Sequence, residues 1–412
     1  MWPQLLYRLK RPWHFFKTGL AGGLRAEIKH GFPARRLKII GITGTDGKTT
    51  TATLVYHILQ HANIEAGLVS TVGAYLGRKQ LDTGFHVTSP NPGDLQRLLR
   101  DMLNQGITYV VLEVTSHGLY QHRLWGVEPI MAGVTNVDQE HLDYHLTYRQ
   151  YLQAKALLLK NSQLAILNAD DQSFQPLKQL VKRRPMISYS LSDNLAPELN
   201  QAISQRFPER FNRSNARLAA SIADQLGIAP TKVAQAIESF AGVPGRMENV
   251  PTKRQLRVVV DFAHTPQGLA ASLTSLREQL KNQRQPGRLI AVYGSAGLRD
   301  RRKRPAMGKI GAELADLVVL TAEDPRTENT WSIIRQMKEG VRHHHRKLVS
   351  IADRRRAIEY AINELAKPGD LVAILGKGHE QSMCYGTTEL PWDDRQVAQT
   401  ALERKEAHDS AF

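Results

Sequence analysis

The chain has 412 residues, 42% of them hydrophobic and 23% charged, with a formal net charge of +16 and one cysteine. That composition fits a globular protein of two or three domains, and it excludes an internal disulfide or any multi-cysteine metal site. No uncharged apolar run approaches the length of a membrane span, no secretory signal is evident, and the lone Cys384 suits a reducing compartment, so a cytoplasmic location is expected. The charge suits an anionic ligand, nucleic acid or an anionic membrane face without choosing among them.

Residues 1–38 hold nine basic residues (Arg8, Lys10, Arg11, Lys17, Arg25, Lys29, Arg35, Arg36, Lys38) against Glu27 alone, interleaved with Trp2, Tyr7, Trp13, Phe15 and Phe16. Such an arm, residues 1–36, either lies on an anionic bilayer surface or packs as a helix on the next domain with its basic face in water.

The apolar run Leu37–Ile42 leads into Gly41-Ile42-Thr43-Gly44-Thr45-Asp46-Gly47-Lys48-Thr49-Thr50, and the following residues to Leu59 suit a helix. Strand, glycine loop and helix in that order expect a nucleotide phosphate loop. The backbone around Gly44, Thr45 and Gly47 would face the phosphates, Lys48 would supply a point charge, and Thr49 or Thr50 a hydroxyl for Mg²⁺. Its spacing departs from the standard P-loop, with five residues and not four between Gly41 and Gly47.

After a loop at Thr88-Ser89-Pro90-Asn91-Pro92-Gly93 and a helix from Asp94, the strand Tyr109–Val114 carries Glu113 near its end. In a parallel sheet shared with the first strand, that carboxylate would face the phosphate loop and bind Mg²⁺. The cluster Thr135–His145 adds Asp138, Glu140, His141, Asp143 and His145, and Lys155 follows in the helical run Tyr148–Lys160. Acids and histidines at this density beside a phosphate loop point to divalent-metal chemistry.

These motifs resemble the Mur ligases, in particular the UDP-N-acetylmuramoyl-tripeptide synthetases, which add the third residue of the peptidoglycan stem peptide. The likeness continues through Phe211-Asn212-Arg213-Ser214-Asn215, Val243–Glu248, Asp261–Pro266, Arg299-Asp300 with Lys303-Arg304-Pro305, Glu323-Asp324-Pro325-Arg326 and Gly376-Lys377-Gly378-His379-Glu380. The resemblance implies an α/β protein with a central P-loop-type ATPase domain of mostly parallel sheet, at 37–244. A Rossmann-like domain follows at 245–412, with the active site in the cleft between them. Strand candidates Leu256–Phe262, Leu289–Tyr293, Leu317–Thr321 and Leu371–Leu375, separated by helix-length segments, agree with a doubly wound second domain.

The chemistry implied is ATP-dependent amide formation: a carboxylate of a nucleotide-linked muramoyl peptide becomes an acyl phosphate, and an amino acid displaces the phosphate. By resemblance, Lys48, Glu113, His141 and Lys155 are catalytic, and Thr49, Glu113, His141 and Lys155 serve two Mg²⁺ ions, Lys155 as a carbamate. Asn215 would read adenine, Arg246 a phosphate and Asp261 the ribose. Thr88, Ser89, Ser116, Arg123, Arg299, Glu323, Asp324, Arg326, Gly376 and Glu380 fall on substrate-binding positions. No nucleic-acid partner is expected.

The chain departs from the family pattern in several places. Only the basic arm stands where the family's UDP-binding domain precedes the ATPase domain, and the stretch between Tyr189 and Phe211 is short. Arg210 and Leu146 replace glycines, and Glu140 an aspartate. At the amino-acid site, members using meso-diaminopimelate carry Asp-Asn-Pro-Arg, whose arginine grips the distal carboxylate; Arg326 is present, which favours that substrate. Glu323 and Asp324 stand in place of Asp and Asn, and an internal pairing of the added carboxylate with Arg326 would suit lysine instead. A two-domain ligase resembling folylpolyglutamate or cyanophycin synthetases, and a non-catalytic nucleotide-gated binder, are the competing readings. The runs Arg299–Arg304 and His343-His344-His345 are expected to be solvated surface.

Overall fold

The computed structural model describes residues 12–77, 79–81, 89–282, 287–341 and 347–409. The first eleven residues of the arm, Thr88 and the histidines 343–345 lie outside the described residues. The chain forms two compact units, Met1–Ala241 and Gly242–Phe412.

The first unit is built on an eight-stranded sheet: β1 (Lys38–Thr43), β2 (Ala66–Ser70), β3 (Gly73–Leu76), β4 (Lys79–Leu81), β5 (Tyr109–Glu113), β6 (Met131–Val134), β7 (Leu164–Asn168) and β8 (Met186–Tyr189). Their order is β4-β3-β2-β5-β1-β6-β7-β8, and all neighbours are parallel except the β2-β3-β4 meander. Helices cover both faces of such a sheet, so its strands read as continuous apolar runs. In β1 all residues after Lys38 are buried.

The register decides what the sheet can present at its carboxyl edge. Ile42 pairs with Glu113 of β5, and Thr43 with Val134 of β6. The phosphate loop, the Glu113 carboxylate and the Thr135-Asn136 turn therefore emerge side by side, where α/β sheets gather their ligands. Helix α1 (Lys48–His61) starts directly from the loop, and α2 (Tyr148–Lys160) starts from Thr147, whose hydroxyl accepts from the Gln150 N–H.

Ahead of β1, a π-helical segment, Phe15–Gly23, runs on into the α-helix Leu24–His30. It packs through Gly19 and Gly23 on the Trp125 ring and leaves Lys17, Arg25 and Lys29 exposed.

The second unit has a six-stranded sheet in the order β13-β12-β11-β14-β10-β9. Its strands are β9 (Glu248–Val250), β10 (Arg257–Asp261), β11 (Leu289–Tyr293), β12 (Leu317–Leu320), β13 (Leu348–Ser350) and β14 (Leu371–Leu375), with only β9 antiparallel. A hairpin, β15 (Ser382–Tyr385) and β16 (Thr388–Pro391), stands apart from it. The expected α/β architecture with two mostly parallel sheets is present.

Among the described residues of this unit, two arginines are wholly buried. Arg354 makes a two-pronged ion pair with Asp394, at 2.8 and 2.6 Å, and donates to the carbonyls of Ala322 and Leu375. Arg304 donates to Glu328, Gln336 and the Ala296 carbonyl. The expectation of a solvated face over Arg299–Arg304 is thus corrected at Arg304, because Glu328 and Gln336 of distant segments fold over it.

Candidate active site

In the first unit the loop between β1 and α1 is shaped by contacts only glycine allows. Gly47 has φ 81°, and a Cβ there would lie 2.2 Å from Oδ1 of Asn215; at Gly44 it would lie 1.8 Å from Oγ1 of Thr135. Asn136 accepts from the Thr45 N–H through its carbonyl and from the Asp46 N–H through its side chain, at 2.9 and 3.0 Å. The first N–H groups of α1 have no intrahelical acceptor, and Gly47 supplies no side-chain cap, so they form an anion-binding edge. Lys48 Nζ lies at that edge, 2.6 Å from the Thr45 carbonyl oxygen.

Glu113 is buried and faces the loop. Its Oε1 accepts from the hydroxyls of Thr49 and Thr71, at 3.0 and 2.9 Å, and its Oε2 from the Thr71 N–H. Thr49 and Glu113 give a hydroxyl and a carboxylate in contact, which suits a hard cation such as Mg²⁺. Thr50 is buried in the first turn of α1.

Lys155 is 1% exposed; its amine reaches the Gly44 carbonyl and lies 4.5 Å from the Tyr151 ring centroid. Burial, reinforced by the charge of Lys48, lowers its pKa well below the ordinary lysine value. A neutral amine is the form that combines with CO₂, so the site fits carbamate formation. His141, with φ 53°, places Nε2 3.6 Å from Glu140, and its ring also faces Tyr151. Tyr151 is thus the wall shared by Lys155 and His141. Among the described residues no group of three or more His, Cys, Asp or Glu side chains is spaced to hold a metal. The donors here are instead the mixed set of hydroxyl, carboxylate, imidazole and lysine.

The positions expected to bind substrate in this unit also meet. Ser89 is buried, with its hydroxyl 3.1 Å from Thr115 Oγ1 and its carbonyl accepting from Arg123 at 2.8 Å. Ser116 stands 3.0 Å from Nε2 of His145. Sequence reasoning did not single out His145. Burial, with the neighbouring His117, His141 and Lys155, pushes its pKa down to about 2, so it is a neutral ring that orients Ser116. Asn215 packs against Gly47, and its amide N–H donates to Asn212 at 3.2 Å.

In the second unit, Asp261 accepts from the Met247 N–H at 3.0 Å and from the Ser272 hydroxyl at 2.6 Å, so each of its oxygens already holds a protein group. The Arg246 guanidinium stacks 4.3 Å from the Phe262 ring centroid. Gly245 approaches so closely that a Cβ would meet the His379 nitrogen at 2.0 Å, which joins the motif Val243–Glu248 to Gly376–Glu380.

The loop after β12 carries Glu323, Asp324 and Arg326, the last two with left-handed backbone (φ 43° and 54°). The β15–β16 hairpin fixes it: the Cys384 N–H donates to Asp324 Oδ1, the Arg326 N–H to the Cys384 carbonyl, and the Gly386 N–H to the Arg326 carbonyl. Lys377 Nζ bridges Asp324 at 2.9 Å and Glu380 at 2.5 Å. Burial opposes the Lys377 charge, but Glu380 and Asp324 more than offset it and raise its pKa. The alternative in which the added carboxylate pairs with Arg326 is not what the structure has, since Asp324 turns to Lys377. Among the described residues no ion pair or side-chain hydrogen bond engages Arg326, and its Nε is buried without a partner.

Glu323 is 5% exposed with Oε2 against Gly376, and burial raises its pKa. Arg299 is exposed at the end of the loop after β11. Thr88 lies outside the described residues. Lys377 and the hairpin were missed as site components; only the Gly376–Glu380 motif signalled the lysine.

Residues 42–223 match the Mur ligase middle domain, and residues 245–378 the Mur ligase glutamate ligase domain. The chain is 36% identical over 396 residues to the UDP-N-acetylmuramoyl-L-alanyl-D-glutamate–2,6-diaminopimelate ligase of Clostridium botulinum, covering 91% of this chain and 80% of that protein. It is 39% identical over 402 residues to the ligase of the same name from Gloeobacter violaceus, covering 92% and 80%. A solved structure of such a ligase aligns with TM-score 0.58 at 30% identity, over 90% of this chain and 79% of that one. Two matched domains and alignments of this length and identity leave one assignment: the chain belongs to the Mur ligase family.

Proposed function

We propose that this protein is an ATP-dependent, ADP-forming ligase of peptidoglycan synthesis, acting in the cytoplasm as a UDP-N-acetylmuramoyl-tripeptide synthetase. It would join the amino group of meso-diaminopimelate to the carboxylate of a UDP-N-acetylmuramoyl dipeptide through an acyl phosphate. The names of the relatives support the reaction class and the carrier. The observation that carries the amino-acid choice is Arg326, a guanidinium left without an ion pair because Lys377 takes up the Asp324 charge. A guanidinium grips a carboxylate through two parallel hydrogen bonds, and lysine has no distal carboxylate to offer.

Within that reading the chain's own residues divide the work. The α1 N-terminus and Lys48 hold and neutralise the phosphates. Thr49 with Glu113, and His141 with carbamylated Lys155, would hold two Mg²⁺ ions, which would screen the charge of the transferring phosphoryl group. The low basicity of buried Lys155 supports the carbamate. Arg123, Ser116 and Ser89 orient the acceptor peptide. Asn215, Arg246 and Asp261 contact the nucleotide, while Arg299, Gly376 and Glu380 receive the zwitterionic end of the amino acid, beside Glu323 and Asp324.

The test is phosphate release from ATP over a matrix of carriers and amino acids. Turnover is expected with the UDP-muramoyl dipeptide and meso-diaminopimelate. Turnover only with a folyl or polypeptide carboxylate, or none with any acceptor, would end the reading.

A further inference from the structure

We propose that the outer face of the N-terminal helical segment, residues 12–30, docks on an anionic lipid bilayer. The inner face is already used. A Cβ at Gly19 or Gly23 would come within 2.6 or 2.4 Å of Trp125, and Ala26 and Glu27 are buried. On the other side Trp13 is 61% exposed, Phe16 59%, Leu20 40%, Leu24 37% and Ile28 62%. Those five positions recur every three or four residues, the spacing of a single helix face. Six of the ten large exposed hydrophobics among the described residues fall between Trp13 and Ile28, so the apolar surface is a patch and not scatter.

The rim of the patch selects the occupant. Lys17, Arg25, Lys29, Arg35, Arg36 and Lys38 are all exposed. The one acid among residues 12–38, Glu27, is 3% exposed and turned toward Arg35 at 3.8 Å. Within the segment the exposed charges are therefore of one sign, and the helix packed against it brings Asp101 near His30 together with Arg97 and Arg100, so the border stays net positive. A protein groove would be served by charges of both signs, whereas a surface of anionic headgroups matches one sign throughout. Lys17 lies 5.6 Å from the Trp13 ring centroid, an arrangement that keeps the ammonium at headgroup level while the indole enters the acyl boundary. The stripe runs the length of the helical segment, enough to lie flat in the interface. The proposal is independent of turnover, since none of these residues is among those assigned to the nucleotide, the metal or the substrates.

The experiment is co-sedimentation of the full chain with phosphatidylcholine vesicles with and without phosphatidylglycerol, at low and high salt. Binding is expected on the anionic vesicles only, weakened by salt. It should fall at least about tenfold in Leu24→Glu/Ile28→Glu and in Lys17→Glu/Arg25→Glu/Lys29→Glu. All five side chains are exposed, so the unfolding midpoint should not move. Equal binding to neutral vesicles, or no binding at low salt, would overturn the proposal. So would a concentration-dependent dimer of the wild type that Ile28→Glu dissolves, because a second copy would then be the occupant.

Discussion

Lys377 Nζ stands 2.9 Å from Oδ1 of Asp324, and this contact settles where the carboxylate unusual at that position spends its charge. Arg326, two residues on, has no such partner among the described residues, and in the proposed reading its guanidinium serves a ligand. Arg326→Ala should therefore lower kcat/KM for meso-diaminopimelate by roughly ten- to a hundredfold, the equivalent of one charged hydrogen bond of about 1.5–3 kcal/mol. Lysine should be little affected. A wild type that prefers lysine, with no loss in the variant, would end the diaminopimelate reading.

Removing the bridge should act on the same step from the other side. In Lys377→Met, Asp324 and Glu380 lose their shared cation, and their repulsion falls on the distal carboxylate of the substrate. The expected result is a raised KM for meso-diaminopimelate with the KM for ATP unchanged. Adding Asp324→Asn should recover part of the loss, because it removes the charge that Lys377 had balanced. A double variant no better than the single one would mean that Lys377 matters only for packing.

Lys155 is buried, and burial lowers its pKa well below the ordinary lysine value, which favours the neutral amine needed for reaction with CO₂. Lys155→Ala should lose most activity and regain part of it when a short carboxylate fills the space of the carbamate. The rescue separates a metal-holding role from a structural one, since acetate cannot restore a lost packing contact. Full activity in the unrescued variant would dispose of the carbamate.

The nucleotide half of the site was legible because its signals are local. Gly44 and Gly47 announce a tight loop, and Glu113 ends an apolar strand that a parallel sheet must set beside the first. Much of the rest was not, because it depends on pairs far apart in the chain. Lys377 and Asp324 are 53 residues apart and Arg354 and Asp394 are 40, and a charged run such as Arg299–Arg304 looks solvated until Glu328 closes on Arg304. Short strands such as β2 (Ala66–Ser70) carry too few residues to show a period, and most of the β15–β16 hairpin reads as polar loop. His145 looked like one histidine among several; only burial distinguishes it.

The Arg354–Asp394 pair ties stability to the site. Both side chains are 0% exposed, and Arg354 also holds the carbonyls of Ala322 and Leu375, the residues just before Glu323 and Gly376. Asp394→Asn should cost about 3–5 kcal/mol in denaturant unfolding of the second unit, because it strands a buried guanidinium. The apolar replacement Arg354→Met/Asp394→Leu should recover most of the stability, yet leave the KM for the amino acid raised, since the two carbonyls lose their donor. Recovery of both quantities would show that the pair does not position the loop.

His145 gives the chain a pH dependence of defined sign. Its ring is fully buried against Ser116, and burial holds the folded pKa at about 2, while the unfolded side chain titrates at its ordinary value of 6.5. Between those limits the unfolded state binds one more proton than the folded state, so stability falls as pH falls, at about 1.4 kcal/mol per unit, and is unaffected by this group above 6.5. His145→Gln keeps a hydrogen-bonding group near Ser116 and cannot titrate. The difference in unfolding free energy between pH 7 and pH 5 should accordingly be smaller in the variant by about 2 kcal/mol, whatever the substitution does to stability at pH 7. An acid slope identical to wild type would mean that His145 is protonated in the folded protein and that Ser116 is oriented by a cation.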